Sequence, residues 1–335
     1  MSIARFIAMR ALLALPTILI LLTIVFFVMR IIPGDPITAM VGMKAPPQRI
    51  EELRRMAGLD KPIYVQYVEY LSGVFRGDLG RSMIWGRRPV ITEILDRFPA
   101  TLELTISAFI VSIAIGFATG MFAASRKGRA PDTAVRFYGI LAWTLFIPWF
   151  GMILQLIFGV WLRLLPVGSR IDAGLEPPTI TGLYVIDSVI TGRWDSFVSA
   201  VKHLVLPSIT LGVVLSGAYT RLVRNNIVDV LNQDFMVTYR AMGFPPPKVL
   251  LKAVRNALIP LVTMMGLQFA LLLAGAVLTE TTFSWPGMGT FLLERIIYVD
   301  YTCVQGTIVF YAIFVVAINF IVDVIYALID PRVRY

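Results

Sequence analysis

Few residues of this chain are of types that do covalent chemistry, and their spacing assembles none of the usual catalytic sets. The sequence holds one cysteine, Cys303, and one histidine, His203. A lone cysteine permits no disulfide framework and no cysteine-based metal cluster, and a lone histidine leaves no histidine-rich metal site. No Gly-x-x-x-x-Gly-Lys-[Ser/Thr] phosphate loop occurs, so the chain does not hold ATP by that device. No nucleophile–base pair recurs in or beside an apolar segment, which disfavours an integral-membrane enzyme. Interest falls instead on residues 232–263, a polar, basic stretch between long apolar runs. Arg240, Lys248, Lys252 and Arg255 cannot lie in hydrocarbon, so this stretch is a loop at a membrane face. Val237, Arg240 and Ala241 repeat at helical spacing and Gly243-Phe244 ends that helix. Pro245, Pro246 and Pro247 forbid its continuation, and residues 248–258 restart as helix where proline favours a first turn. Two short helices around a rigid elbow fit a docking device for a cytosolic protein, although the same segment in isolation reads as readily as an ordinary connecting loop.

The elements that must carry this loop follow from composition. Hydrophobic residues make up 57% of the 335 and charged residues 15%, with a mean hydropathy of +0.78. That profile is a polytopic membrane protein rather than a soluble one. Six segments reach the roughly 20 apolar residues a spanning helix needs: 11–29, 101–124, 137–162, 204–222, 259–278 and 307–328. The first is too long, and lacks a small-residue cleavage site, for a removed signal. Residues 125–136 carry Arg126, Lys127, Arg129 and Arg136 against Asp132, whereas residues 279–306 hold Arg295 beside Glu280, Glu294 and Asp300. Short-loop charge therefore places both termini and the 232–258 loop in the cytoplasm. The net charge of +9 belongs to that topology and not to nucleic acid. Residues 31–99 form a long external loop with amphipathic patterns opened by Pro46-Pro47 and by Pro62, the latter with Tyr64, Tyr67, Val68 and Leu71 on one stripe. The second external loop, 164–202, carries the least information.

Asp234, Thr238, Arg240, Ala241 and Gly243, followed by Arg255, Asn256, Ala257 and Pro260, resemble the EAA loop of permeases in binding-protein-dependent ABC importers, oligopeptide/dipeptide branch. The chain departs from that pattern at Tyr239, where a small residue is usual, and at Pro245–Pro247. Further motifs in the same order resemble the same branch: residues 32–36, 58–62, 77–82, 99–104, 283–289 and 330–335. The resemblance implies an all-α polytopic membrane protein of the type I ABC importer permease fold, six transmembrane helices with cytoplasmic N and C termini, in a prokaryotic cell membrane. It implies residues 1–95 as first helix plus external loop, and 96–335 as permease core with the coupling loop at 225–258. It assigns ATPase docking to Asp234, Thr238, Tyr239, Arg240, Ala241, Gly243, Arg255 and Asn256. The implied partners are a homologous second permease, two ATP-binding subunits, an external substrate-binding protein and membrane lipid. ATP and Mg would be bound by the ATPase subunits, with no cofactor in this chain.

The transport path is legible only in outline. Gln268 is the strongly polar group in mid-span five and Asn319 lies in span six; either lines a path or makes an interhelical hydrogen bond. Glu280 and the Trp285-Pro286-Gly287 turn resemble the family's external segment at the pore mouth, with an interfacial anchor the alternative for Trp285. An ion-coupled secondary carrier would bury charges near midplane, yet the spans hold almost none: Glu103 sits near the external end of span two and Asp323 in the last two turns of span six, the latter expected as a structural pair. The small residues of 263–275 allow close helix packing. The solute is a di- or oligopeptide, nickel or an oligosaccharide on the resemblance, selected mainly by the separate binding protein.

Overall fold

The computed structural model describes residues 3–31, 37, 46–56, 58–82, 84 and 88–329, and within its helices the side chains of 258–260 and 262–264, among others, are not described. The motifs at 32–36 and 330–335 thus lie outside the described residues. Among those described, the protein is helical and has no strand. The first helix, α1 (Ile3–Ile31), buries Leu22, Phe26 and Met29. Proline opens α2 (Pro47–Met56), and Pro62 precedes α3 (Ile63–Phe75), as the sequence leads one to expect. Against α1, α3 sets Tyr67 and Tyr70 on the Phe26 ring, shares a 2.6 Å hydrogen bond between Tyr67 and Thr23, and presents Gln66 to the Arg30 guanidinium. The expected stripe is half right. Tyr67 and Leu71 turn inward, but Tyr64 is 70% and Val68 62% exposed, because a single narrow neighbour covers only the Tyr67–Tyr70 line.

Helix α4 (Val90–Ser125) and a later one of 38 residues, Trp194–Leu231, form the centre. In α4 the buried residues Ala108, Ser112, Gly116, Gly120 and Ala124 recur every fourth position, making one flat ridge. The partner helix answers with Ser208, Gly212, Ser216 and Thr220 at the same spacing. The two run parallel and touch backbone to backbone. A Cβ on Gly116 would collide with the Tyr219 Cβ, and one on Gly120 would sit 2.9 Å from the Thr220 carbonyl oxygen. Thr119 and Thr220 join hydroxyls across the seam at 2.8 Å. In a membrane, where apolar burial between helices gains little over lipid, such contact-distance packing is what holds helices together.

Between them in sequence come α5 (Ala130–Thr144), α6 (Ile147–Leu154) and a π-helical turn, Gln155–Trp161. The third apolar segment was expected as one span; it is broken by 101° between Thr144 and Ile147. Pro148 explains the break, since its ring would clash with the carbonyl four residues back, at Thr144, where α5 stops. A close approach of Gly139 to Gly217 fixes α5 on the long helix.

The remaining elements are α7 (Tyr184–Ile190), the long helix already described, here α8 (Trp194–Leu231), α9 (Asp234–Ala241), α10 (Pro246–Thr282), α11 (Met288–Ile297) and α12 (Tyr301–Ile329). A Cβ on Gly266 would collide with Val322, so at Gly266 the expected close packing is present, of α10 on α12. Arg10 and Asp323 pair at 3.0 Å, joining α1 to α12, which is the structural pair expected of Asp323. Residues 7–31, 90–125, 194–231 and 301–324 are each helical, long and apolar enough to cross a membrane, and the bent pair of α5 and 147–161 makes a fifth if counted as one span. The fifth apolar segment of the sequence lies in α10, a helix of 37 residues.

The segment between the π-helical turn and α8, least legible in sequence, is built on buried carboxylates. Glu103 of α4 accepts from Arg170 Nε and Nη2 at 2.9 and 2.6 Å and from the Val185 N–H at 2.8 Å. The Arg170 guanidinium also donates to the Gly182 carbonyl and lies 3.8 Å over the Tyr184 ring. Asp187 accepts from the Ile180, Thr181 and Gly182 N–H groups and from the Thr181 hydroxyl. Burial pushes the Asp187 carboxyl up, but those donors outweigh it and hold it below the usual aspartate value.

Two outcomes follow. Gly120→Val should destabilise the protein by about 2 kcal/mol or more, since the close neighbour is backbone and cannot give way; Ala118→Val, on the exposed face of α4, should leave detergent thermal unfolding within error. Asp187 has a depressed pKa in the folded state, so its contribution is present above the unfolded value, about 3.9, and is lost as pH falls through the folded one. Asp187→Asn should therefore lower stability at neutral pH and flatten the acid limb of a stability–pH curve below about pH 4. An unchanged limb would mean the loop is held by other groups.

Candidate coupling segment and the capped opposite end

Where α8 ends, the chain turns through Asn232 and Gln233 into α9, a helix of eight residues. Asp234 lies in its first turn, where a carboxylate meets the positive end of the helix dipole. Met236 is fully buried against Val223 and Ile227 of α8 and Val249, Ala253 and Ala257 of α10. The end of α9 is fixed by a double hydrogen bond: Phe244 N–H to the Tyr239 carbonyl at 3.3 Å and Gly243 N–H to the Arg240 carbonyl at 3.0 Å. This is the Schellman pattern, with Gly243 in the left-handed region at φ +77°. Its accompanying apolar contact is Tyr239 against Phe244, ring centroids 5.5 Å apart and edge to face. No heavy atom lies within 4 Å of where a Gly243 Cβ would sit, so glycine is required there by backbone conformation alone.

The restart comes two residues earlier than the sequence implies. Pro245 is the N-cap and Pro246 and Pro247 occupy the first turn of α10, which runs on to Thr282 without interruption. Prolines whose missing N–H groups need no partner in a first turn explain the shift.

The predicted docking residues divide by role. Asp234, Thr238, Arg240, Ala241, Gly243, Arg255 and Asn256 are exposed. Arg240 Nη2 donates to the Leu231 carbonyl at 3.1 Å, satisfying a free carbonyl at the end of α8. Asn256 Nδ2 donates to the Lys252 carbonyl on its own helix. Tyr239 is half-buried and packs inward, with Lys252 5.9 Å over its ring, so its first duty is to the elbow itself. Residues not assigned to docking from the sequence complete the outer face: Val237 is 57% and Met242 66% exposed, beside exposed Phe235, Phe244 and Leu251.

At the opposite end of α4 and α8, Glu280 holds the start of α11. Its carboxylate accepts the Thr101 hydroxyl at 2.6 Å, the Gly289 N–H at 2.7 Å and the Thr290 N–H at 3.0 Å. The Thr101 oxygen in turn accepts the Met288 N–H at 2.7 Å. The N-terminal N–H groups of α11, which have no intrahelical partner, are thus capped from α4 and α10. Gly287 stands at the N-cap position, and a Cβ there would collide with the Glu280 carboxylate. Trp285 is fully buried with Ala100, Leu104 and Leu204, its indole N–H on the Ala100 carbonyl at 2.9 Å. Within this chain its ring is covered on all sides by the protein's own residues. Thr101, quoted in sequence only as part of a motif, is the residue on which both hydrogen-bond chains meet.

Of the two mid-span amides, Gln268 is half-buried with its carbonyl oxygen buried and without a hydrogen-bond partner among the described residues, and Asn319 is half-buried. Pro260 of the loop motif lies on α10 with its side chain outside the described set. No group of three or more His, Cys, Asp or Glu that could hold a metal ion occurs among the described residues.

Comparison with known proteins bears on this geometry directly. The family described as binding-protein-dependent transport system inner membrane component matches residues 116–335, and the N-terminal family of the same transport-system membrane components matches residues 3–105. The di/tripeptide transport system permease protein DppB of Pseudomonas aeruginosa is 40% identical over 332 residues, covering 98% of each chain. The dipeptide transport system permease protein DppB of Escherichia coli K12 is 38% identical over 336 residues, 99% of each. The glutathione transport system permease protein GsiC of Salmonella choleraesuis is 38% identical over 323 residues, 96% of each. With an eight-residue elbow helix between two long apolar helices, and relatives matched end to end, the chain belongs to the family of binding-protein-dependent transport system inner membrane components.

Proposed function

We propose that this chain is one of two membrane subunits of an ATP-driven ABC importer that moves short peptides delivered by an external binding protein. The observation that carries the reading is the α9 elbow, a short helix that is folded against α8 and α10 on one side and bares Val237, Ala241 and Met242 on the other. A helix of eight residues is not stable alone, and an apolar outer face on it asks for a partner surface. On this reading α9 seats in a groove of an ATPase subunit that binds ATP and Mg, while a homologous permease completes the path. The chain itself is not an enzyme. Peptides are favoured over nickel or oligosaccharide because full-length relatives are named for di/tripeptide, dipeptide and glutathione transport. Six spans, cytoplasmic termini and a division near residues 95–96 remain part of the proposal, supported by the basic 125–136 and 232–258 loops. An ion-coupled carrier is the less favoured reading, because Glu103 and Asp323 both have arginine partners and a relay needs a group free to titrate.

The docking test uses substitutions that leave the elbow's own packing alone. Val237→Asp or Ala241→Arg, both on exposed positions, should reduce peptide-stimulated ATP hydrolysis by the reconstituted complex at least about tenfold, the effect of removing about 1.4 kcal/mol of contact. Thermal unfolding of the chain should not move. Co-purification of the ATPase at wild-type yield with both variants would sink the docking role. Tyr239→Asp is the wrong probe, since it would also dismantle the Tyr239–Phe244 contact.

Gly243 gives a graded test. Only the backbone resists a side chain there, so the loss of coupling should rise from Asn through Ala to Val, following how each tolerates positive φ, with a cost of about 1–2 kcal/mol for the disfavoured residues. Coupling that is equal in all three variants would separate the turn from force transfer.

A further inference from the structure

We infer that a cleft between α5 and α8 is a binding site for the phosphodiester headgroup of an anionic phospholipid. The cleft measures about 380 Å³, and its lining includes Thr133, Arg136, Phe137, Ile140, Arg221 and Asn225. Arg136 and Arg221 are exposed and neither makes a hydrogen bond or ion pair among the described residues. Arg224 also borders the cleft, but it is committed to Asp132, donating from Nε and Nη2 at 3.0 and 2.8 Å. Asp132 is further held by the Gly128 N–H, so the adjoining carboxylate is already neutralised. No carboxylate lines the cleft itself. Two exposed guanidinium groups, of which Arg136 also feels the Asp132 charge, then face one opening with a threonine hydroxyl and the Asn225 NH2, whose carbonyl accepts from Arg224 at 3.2 Å, and guanidinium groups match phosphate oxygens in pairs.

The apolar part of the lining decides between a lipid and a free anion. Phe137 and Ile140 are 67% and 55% exposed at the cleft, and Leu141 and Trp143 continue the exposed apolar surface along α5. A soluble phosphate has no use for that track, whereas an acyl chain lies along it. The level is also right. At 1.5 Å per residue the 38 residues of α8 span about 57 Å, more than the roughly 40–45 Å of a bilayer with its headgroups. Arg221 lies ten residues, or about 15 Å, before the end of α8, where a helix that protrudes into water meets the interface. The inference rests on the cytoplasmic orientation proposed above, because anionic lipid is concentrated on that face.

The test uses the full chain purified with its co-expressed partner subunits and stripped of lipid. Phosphatidylglycerol titrated in detergent should bind, as read by native mass spectrometry, and should raise the thermal unfolding temperature; phosphatidylcholine should do neither. Each surface cation contributes about fivefold to such binding, so Arg136→Gln with Arg221→Gln should weaken it about twenty-five-fold. Arg136→Lys with Arg221→Lys, which keeps the charge, should retain most of the affinity. Phe137→Ser should weaken lipid binding without the double Gln variant's change in charge. Wild-type binding by the double Gln variant, or equal binding of phosphatidylcholine, would overturn the site. Displacement of phosphatidylglycerol by millimolar inorganic phosphate would overturn the lipid assignment in favour of a free anion. Orientation is checked separately: Arg136→Cys should react with an impermeant maleimide in inverted vesicles and not in right-side-out ones. The reverse pattern would overturn the cytoplasmic placement while leaving the binding result to stand on its own.

Discussion

The seam between α4 and α8 is the constraint on which the other elements depend. Its closeness comes from what is missing, since Gly116 and Gly120 have no side chain to hold the Tyr219 and Thr220 backbone away. Close backbone approach lets dispersion and hydroxyl pairing act where burial from water cannot. Everything of interest hangs from the two ends of this pair. At the N-terminal end α4 offers Ala100, Thr101 and Glu103, which hold Trp285, the Glu280 cap and Arg170 respectively. At the C-terminal end α8 leads directly into the elbow, whose Met236 is buried against it.

The two ends solve the same problem, unsatisfied helix termini, in opposite ways. The start of α11 is capped by groups remote in sequence, Thr101 and Glu280, and is buried. The end of α9 is closed locally by its own Schellman bonds and stays exposed. Remote capping ties three helices into one unit, so that end moves as a body or not at all. Local closure leaves the elbow complete in itself, with its outer face free of internal duties. A carboxylate buried as Glu280 is also costly unless every donor it meets is well placed, which explains the Cβ-free position at Gly287.

Much of this was legible in the sequence, and the reasons for the rest are physical. Helix identity, the elbow and the need for glycine at 243 follow from local rules of spacing and backbone conformation. That Asp323 is paired was foreseen because a carboxylate near a span end needs a partner; that the partner is Arg10 was not. The broken third segment was also written in Pro148, but hydropathy averages over a window and does not see a single ring. The small-residue ridge at 108, 112, 116, 120 and 124 is also written in the sequence, as a four-residue period more regular than the small residues of 263–275. What no local rule reaches is the set of distant pairings: Glu103 with Arg170, Thr101 with Glu280. Their partners lie 67 and 179 residues apart in sequence, and only the assembled helices bring them together.

The departures from the family pattern at Tyr239 and Pro245–Pro247 turn out to be one feature rather than two. Tyr239 supplies the carbonyl that accepts the Phe244 N–H and the ring that packs on Phe244. A small residue at 239 would keep the hydrogen bond and lose the ring contact. Immediately after Phe244 the proline run fixes φ for successive residues and starts α10 at Pro246. An aromatic clasp on one side of Gly243 and a proline brace on the other both restrict the same elbow, so each makes sense in the presence of the other. A stiffer elbow delivers a displacement of α9 to α10 with less loss in the turn between them. On the docking role proposed above, the place where this chain departs from the family pattern is therefore the place where stiffness would bear on coupling.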